Sequence, residues 1–353
     1  MTGDYSNLYI NEENNMTTSA WKNSLLSIME RVGVINLLQR TGSNDRNSLY
    51  ILTYHRVERP AEIPWLSEAD INVTPEMFEE QMKFLSARYH PVSIEEVLDA
   101  AHGGTPLPGD AVLVTVDDGY RSFYDTIQPV CQTYGISPLL FVSTAFVEKG
   151  TFWWDKVYQI VFLSGLNELD TPIGRRSIAT LKEKQYVLRE LLQALKNVSF
   201  SQLTEWVDPI HSELVHLSED QEHNTVTWDE LRELRAKGVA VASHTHTHPL
   251  LTRISLEEAR REVKVSQELI KRELGTALPV FAFPDGKMRA VNQNLIDMLN
   301  SEGFELVFLL QDGRARLHPE NRFHTLPRLA MWPDQTLPQF HLRLTPLINW
   351  MSS

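Results

Sequence analysis

Two short pieces of this chain carry side chains that could bind a metal ion and move a proton. Asp117-Asp118-Gly119 follows the apolar run Ala111–Val116, and His244-Thr245-His246-Thr247-His248-Pro249 follows the apolar run Val239–Ser243. Carboxylates and clustered imidazoles are the ligands of a mononuclear metal hydrolase, which also needs a free carboxylate to handle a proton. Two carboxylates crowded onto one spot raise each other's pKa unless a cation is present. Binding by one removes the conflict and leaves the other as a proton acceptor. On an extended chain Asp117 and Asp118 point apart, so different roles are expected for them. His244 and His248, four residues apart, would share a face of one helical turn, a spacing suited to chelating one ion. His246 would point elsewhere. Gly119 would let the backbone turn closely past the site, and Pro249 would end the histidine turn. A lone Asp-Asp-Gly is ordinarily a surface turn, and a lone histidine is ordinarily structural. Position at strand ends, and three histidines in five residues, argue for a metal site here.

The elements that must position these groups form a regular series. Tyr50–Tyr54 is a short β-rich run ending at His55. Ala111–Val116, Leu139–Ser143, Val239–Ser243, Val280–Phe283 and Leu306–Leu310 are four to six residues each and mostly apolar throughout. Helical patterns separate them, at Tyr124–Tyr134, Trp228–Lys237, Leu256–Leu274 and Asn292–Glu302, with Gly135, Gly238, Gly275 and Gly303 just past their last turns. Thr74-Pro75-Glu76 reads as a helix start, and a second helix spans Ile94 to Ala101. Apolar strands alternating with helices imply a parallel sheet covered on both faces, an α/β fold. Chemistry drawn from several strand ends to one point favours a closed barrel over an open doubly wound sheet.

Residues 150–224 break the rhythm, with aromatic density at Phe152-Trp153-Trp154, a charged helix around Leu181–Lys196 and no evident strand signal. This segment reads as a helical insertion overhanging the strand ends. Trp153 and Trp154 are either its core or, for one of them, the lining of a sugar-binding cleft. The domain plan is a disordered tail over 1–20, an amphipathic N-terminal helix within 21–48, a catalytic domain over 49–335 and a C-terminal extension over 336–353.

Composition narrows the function classes. The chain has 353 residues, 42% of them hydrophobic and 22% charged, as in a soluble globular protein. With 33 basic and 46 acidic residues its formal charge is −13, which argues against nucleic acid as a partner. No apolar run approaches the ~20 residues of a membrane span. Cys131 is the single cysteine, so no intrachain disulfide forms. The polar N-terminus lacks a signal-peptide pattern, and a cytoplasmic location is expected.

The motifs, in their order and strand context, resemble those of the polysaccharide deacetylases of the NodB-homology type (carbohydrate esterase family 4). Val116-Asp117-Asp118-Gly119-Tyr120 is similar to their T-F-D-D-G motif, and His244–Pro249 fits their H-[S/T]-x-x-H-P motif without a gap. The resemblance covers roughly residues 50–330, interrupted by the insertion. It implies a distorted (β/α) barrel of the NodB type with a helical insertion. It also implies a divalent ion, most commonly zinc with cobalt, nickel or manganese as alternatives, on Asp118, His244 and His248. Asp117 would then be the general base, with the Tyr120 backbone N–H at the oxyanion.

Departures from the family pattern raise further candidates. The third family motif, R-x-P-Y-G, corresponds here to Phe281-Ala282-Phe283-Pro284-Asp285-Gly286, similar to the F-A-Y-P-Y-G form of the biofilm poly-N-acetylglucosamine deacetylases. Ala282 stands in for the arginine that tethers the base and Asp285 for the tyrosine; Pro284 and Asp285 are candidate substrate contacts. Arg328 is the candidate replacement tether. The late acid histidine of the family is not evident, His318 and His324 being weak substitutes. Tyr54-His55 matches the tyrosine-histidine strand end of the biofilm enzymes, which makes His55 the candidate general acid. The expectation is a hydrolase of a linear amide C–N bond, a metal-dependent de-N-acetylase acting on an N-acetylated carbohydrate in a glycan or glycan precursor. Its rivals are an amidase for a non-sugar amide and a carbohydrate-binding pseudoenzyme.

Overall fold

Seven short strands pair in parallel and close into a ring. They are β1 (Ser48–Tyr54), β2 (Ala111–Val116), β3 (Leu139–Val142), β4 (Ala240–Ser243), β5 (Val280–Ala282), β6 (Leu306–Leu310) and β7 (His324–Ala330). Each of β2 to β6 pairs with the strand before and after it in sequence, and β7 pairs with β6 and β1. The closure is uneven. β1 and β7 share only the pairs Leu52↔Leu329 and Thr53↔Ala330, while Ala315–Arg316 lies antiparallel on the start of β1. This computed structural model describes residues 26–42, 46–59, 71–148, 150–198, 200–216, 224–333 and 335–347.

Side chains alternate along a strand, and in a closed barrel that alternation separates an inside from an outside. Leu49, Ile51, Leu113, Leu139, Phe141, Ala240, Ala242, Val280, Ala282, Leu306, Phe308 and Leu326, drawn from all seven strands, form one buried cluster. Two bulky rings, Phe141 and Phe308, with centroids 5.2 Å apart, are balanced by small alanines. The intervening residues, such as Leu52, Val114, Val142 and Val241, pack outward with Phe78 and Met82 of the helix Pro75–Arg88. Phe281, Phe283, Val307 and Leu309 pack against the helices Leu256–Leu274 and Gln293–Ser301. One step beyond the apolar layer, the inward positions become Thr115, His244 and Arg328, and the register Tyr54↔Val116 sets His55 beside Asp117. The pleat therefore delivers polar groups from separate strands to one mouth.

Helix boundaries follow local chemistry. Thr74 caps the helix Pro75–Arg88 by accepting from the Met77 N–H, and capping boxes begin Ile94–Ala101, Leu181–Leu195, Trp228–Ala236 and Leu256–Leu274. Several details differ from the sequence reading. The segment expected as one helix over Tyr124–Tyr134 is a π-helical stretch, Phe123–Ile127, running into an α-helix, Gln128–Thr133. The N-terminal helix is broken at Gly33, whose φ is +79°, into helical residues 26–31 and the helix Val34–Gly42. His341, on the C-terminal helix Leu337–Arg343, bridges the two pieces through Glu30 and Gln39. The described part of the C-terminal extension, residues 336–347, is therefore packed on the main domain, with Phe340 and Leu344 in its outer core. The tail expected over 1–20 lies outside the described residues.

The insertion holds the helices Trp153–Leu163, Leu181–Leu195 and Phe200–Leu214 around its own core, including Val157, Ile160, Leu188 and Leu191. It is not purely helical, which corrects the reading from sequence. An antiparallel hairpin, Glu168–Thr171 with Gly174–Ser177, joins the first two helices. Only Leu169 of the hairpin is buried, so its sequence lacks the apolar alternation that announces a strand. No helix among the described residues is long and apolar enough to cross a membrane.

Phe308 fills the barrel axis with no exposed surface. Phe308→Ala is expected to lower unfolding stability by about 3–5 kcal/mol, measured by denaturant titration.

Candidate active site

Asp117 and Asp118 lie directly after β2 and are both buried. The chain does not stay extended here, which corrects the expectation that they point apart. Asp118 has φ +76° and Gly119 φ +92°, so the backbone folds back and both carboxylates face His244. The distances from His244 Nε2 are 3.5 Å to Asp118 Oδ1 and 4.0 Å to Asp117 Oδ2. Gly119 is required at its position: a Cβ there would lie 3.1 Å from Val142 Cγ1, in addition to the left-handed φ.

The histidines also reach the site by a route other than the expected helical turn. His244 continues from β4, and the loop after it holds Thr245 at φ +69° and His248 at φ +56°. The Thr245 hydroxyl accepts from the His248 N–H at 3.0 Å, closing the turn that brings the two rings to 4.9 Å. From the helix Leu256–Leu274, Glu262 accepts from the N–H groups of His246 and Thr247 and from the Thr247 hydroxyl, at 2.7–3.0 Å. His246 turns away to Thr144 Oγ1, 2.9 Å from its Nδ1.

This arrangement fits a cation. Asp118 Oδ1 is 3.5 Å from His244 Nε2 and 3.4 Å from His248 Nε2, and it is buried without a hydrogen-bond partner among the described residues. Ligands ~2.0–2.1 Å from a tetrahedral zinc ion lie roughly 3.4 Å apart, so the observed spacing matches. Asp118, His244 and His248 are also the one group of potential metal ligands found among the described residues. His244 Nδ1 lies 2.8 Å from the Ala282 carbonyl; donating there directs the Nε2 lone pair into the site. Burial pushes His244 down to about 4, so it is neutral, the ligating form, at pH 7. Burial pushes the Asp118 carboxyl up, but the neighbouring imidazoles outweigh it and hold the group well below the usual carboxylate range.

Asp117 is engaged differently. Arg328 Nη1 and Nη2 donate to its two oxygens, each at 2.7 Å, and Nη1 also donates to Thr115 Oγ1 at 3.1 Å. Burial pushes the Asp117 carboxyl up; Arg328 and then His244 overcome this and keep it below its ordinary value. Arg328 therefore holds Asp117 from β7, the placement that the tether expectation requires. His55, half-buried, has an Nδ1 without a hydrogen-bond partner among the described residues and follows β1 beside Asp117. His324 begins β7, at the opposite end of the barrel, where its Nε2 meets His318, which removes both residues from the acid role.

The remaining candidates separate. Trp153 is 9% exposed and belongs to the insertion core, so it does not line a cleft. Trp154 stacks on Phe152 and sets its edge against His248, with centroids 4.7 Å apart. Pro284 is buried just past β5, and the Asp285 carboxylate pairs with Arg289 at 3.0 Å. Sequence reasoning missed Glu262 and the Ala282 carbonyl. Neither has a local signal, since a glutamate within a charged helix and a backbone oxygen look ordinary in one dimension.

The fold and the site together define a class: a NodB-type (β/α) barrel carrying an Asp-His-His trio and a second, arginine-held aspartate at the C-terminal strand ends. Residues 104–307 match the family described as polysaccharide deacetylase, which is more than half of the chain. The chain belongs to the polysaccharide deacetylase family. It is 24% identical over 303 residues to the poly-beta-1,6-N-acetyl-D-glucosamine N-deacetylase of Escherichia coli K12, covering 83% of this chain and 38% of that protein. Among solved structures, the Streptococcus pyogenes deacetylase PplD is similar at a TM-score of 0.57 and 18% identity, covering 86% of this chain and 100% of that one. IcaB from Ammonifex degensii is similar at 0.54 and 21%, covering 84% and 97%. At these identities the structural likeness establishes the fold.

Arg328→Met would leave Asp117 buried without its cation, raising the carboxyl pKa. Stability at pH 7 is expected to fall by about 3–5 kcal/mol. The deficit narrows as pH falls, because the variant takes up its proton at a higher pH than the wild type. Denaturant unfolding at pH 7 and at pH 5 checks both statements.

Proposed function

We propose that this chain is a metal-dependent hydrolase that removes the acetyl group from an N-acetylated sugar within a glycan or glycan precursor. The observation that carries the reading is the different treatment of two adjacent aspartates. Asp118 faces two imidazole nitrogens, while Asp117 is held ionised by Arg328. The name of the Escherichia coli relative, an N-deacetylase of a poly-N-acetylglucosamine, supports an amide of an amino sugar as substrate.

Asp118, His244 and His248 would hold the divalent ion, zinc by donor type, with cobalt, nickel or manganese as alternatives. Bound there, such an ion supplies Lewis-acid polarisation of the acyl carbonyl and makes a water molecule more acidic. The rest of the chemistry belongs to this chain's own side chains. Asp117 accepts the proton of the water that attacks the acyl carbon, and Arg328 keeps its carboxylate ionised and aimed. The Tyr120 N–H donates to the oxygen on which negative charge develops. As the C–N bond breaks, His55 protonates the departing amine, leaving acetate and a free amino sugar.

Acetate release from N-acetylglucosamine oligosaccharides is the direct test. Activity is expected to vanish with a chelator and return with added zinc, cobalt, nickel or manganese. Asp117→Asn is expected to lower kcat by about 10²–10⁴-fold with metal content unchanged by elemental analysis, whereas His244→Ala loses metal and turnover together. Turnover of small amides alone would instead identify an amidase, and metal and glycan binding without turnover a carbohydrate-binding protein.

A further inference from the structure

Both ends of the insertion converge on one residue, Tyr120, which follows the Asp-Asp-Gly turn. Its phenol is fully buried. The hydroxyl donates to Asp155 Oδ2 at 3.1 Å and accepts from Trp154 Nε1 at 2.8 Å, both on the first helix of the insertion. Asp155 Oδ2 also accepts from Arg56 Nη2 at 2.8 Å and from Asn224 Nδ2 at 3.3 Å. The Arg56 guanidinium lies over the Tyr120 ring, 3.9 Å from its centroid. At the far end of the insertion the chain returns alongside the same residue, with Arg121 N–H donating to the Asn224 carbonyl and Val226 N–H to the Gly119 carbonyl.

The backbone pairing has a directional consequence. Because the bonds flank the Tyr120↔Thr225 pair, the Tyr120 N–H faces away from Thr225. It has no acceptor among the described residues. The turn it belongs to carries two successive left-handed residues, Asp118 and Gly119. A left-handed aspartate costs about 1–2 kcal/mol, so surrounding contacts must hold it. Arg56 and Asp155 are both buried, and such a pair stabilises a fold little compared with apolar packing. What it does supply is a fixed geometry. Trp154, bound to Tyr120 through its indole nitrogen, also abuts His248.

We infer that the insertion is a positioning element. Through Trp154 and Asp155 it fixes the Tyr120 phenol, and thereby the direction of the Tyr120 N–H, and it sets the face that His248 turns to the site. This rests on the deacetylase reading for the N–H, while the effect on His248 is independent of it. Tyr120, Trp154 and Asp155 act here through other groups and are positioning residues.

Two variants test the two halves. Tyr120→Phe keeps the backbone N–H and the aromatic ring but removes the hydroxyl. At saturating metal, kcat for acetate release is expected to fall about 10–100-fold with KM within about twofold, since a contact to developing charge acts only in the transition state. A kcat within twofold of wild type, or a change confined to KM, overturns the positioning of the N–H. Trp154→Phe leaves the Tyr120–Asp155 bond in place, and zinc affinity by chelator competition is expected to weaken about 10-fold. Unchanged affinity overturns the positioning of His248. If Tyr120→Phe does not fold by circular dichroism, kcat of Trp154→Phe replaces it under the same criterion. If the wild-type protein releases no acetate from any oligosaccharide, the functional reading fails while the zinc measurement still decides the role of the insertion.

Discussion

Arg328 is a permanent cation just above a barrel core of Leu, Ile, Val, Phe and Ala, and it is 1% exposed. An uncompensated charge there would cost several kcal/mol. It is tolerated because Asp117 meets the guanidinium with both oxygens, while the rings of Phe141 and Phe308 lie within 6 Å of it. The pair joins β7 to the residue after β2, across the intervening β1, and so ties the weak part of the barrel wall. It also decides the chemistry next to it. With both oxygens bound by Arg328, Asp117 is kept ionised, and Asp118 is the aspartate whose Oδ1 lies 3.4–3.5 Å from the two imidazole nitrogens.

The rest of the site is arranged by the pleat and by strand ends. Each strand contributes one inward residue per step of two, so a short extension past the apolar layer lines the mouth with Thr115, His244, Arg328, His55 and Asp117. Small residues are needed just below. Ala282 leaves room in the barrel and offers its carbonyl to His244 Nδ1, so one residue serves packing and ligand orientation. The same position holds the tethering arginine in the common family motif. In this chain the cation comes from β7 instead, and the barrel interior accommodates one such group in place of the other.

Two loops at the site carry backbone strain. Asp118 and Gly119 in one, Thr245 and His248 in the other, have positive φ, and each loop is held by side-chain contacts from outside the turn. Glu262 clamps the histidine loop from the helix behind it, and Tyr120, anchored by the insertion, holds the aspartate turn. Contacts of this kind hold strained turns in one conformation.

Much of this was legible in one dimension. The strands, the helix-ending glycines, the capping residues and the Asp-Asp and His-x-x-x-His sets are local patterns, and local patterns survive without knowledge of the fold. The His55–Asp117 neighbourhood and the Arg328 tether were reachable through the resemblance, since motifs record distant contacts indirectly. Besides Glu262 and the Ala282 carbonyl, three things were not legible. The hairpin Glu168–Thr171 with Gly174–Ser177 is too exposed to show apolar alternation, and the left-handed residues Asp118 and His248 are not glycines, so nothing local marks their conformation. Trp153 and Trp154 look alike as neighbours, yet one packs in the insertion core and the other against His248.

The sequence by itself therefore determined the alternating α/β architecture and the inventory of chemical groups, because periodicity and residue type are properties of short segments. Only the tertiary structure decided which aspartate faces the imidazoles, which strand supplies the cation and what the insertion touches. Those depend on barrel closure and on backbone turns held by contacts more than a hundred residues away, and no short segment encodes them.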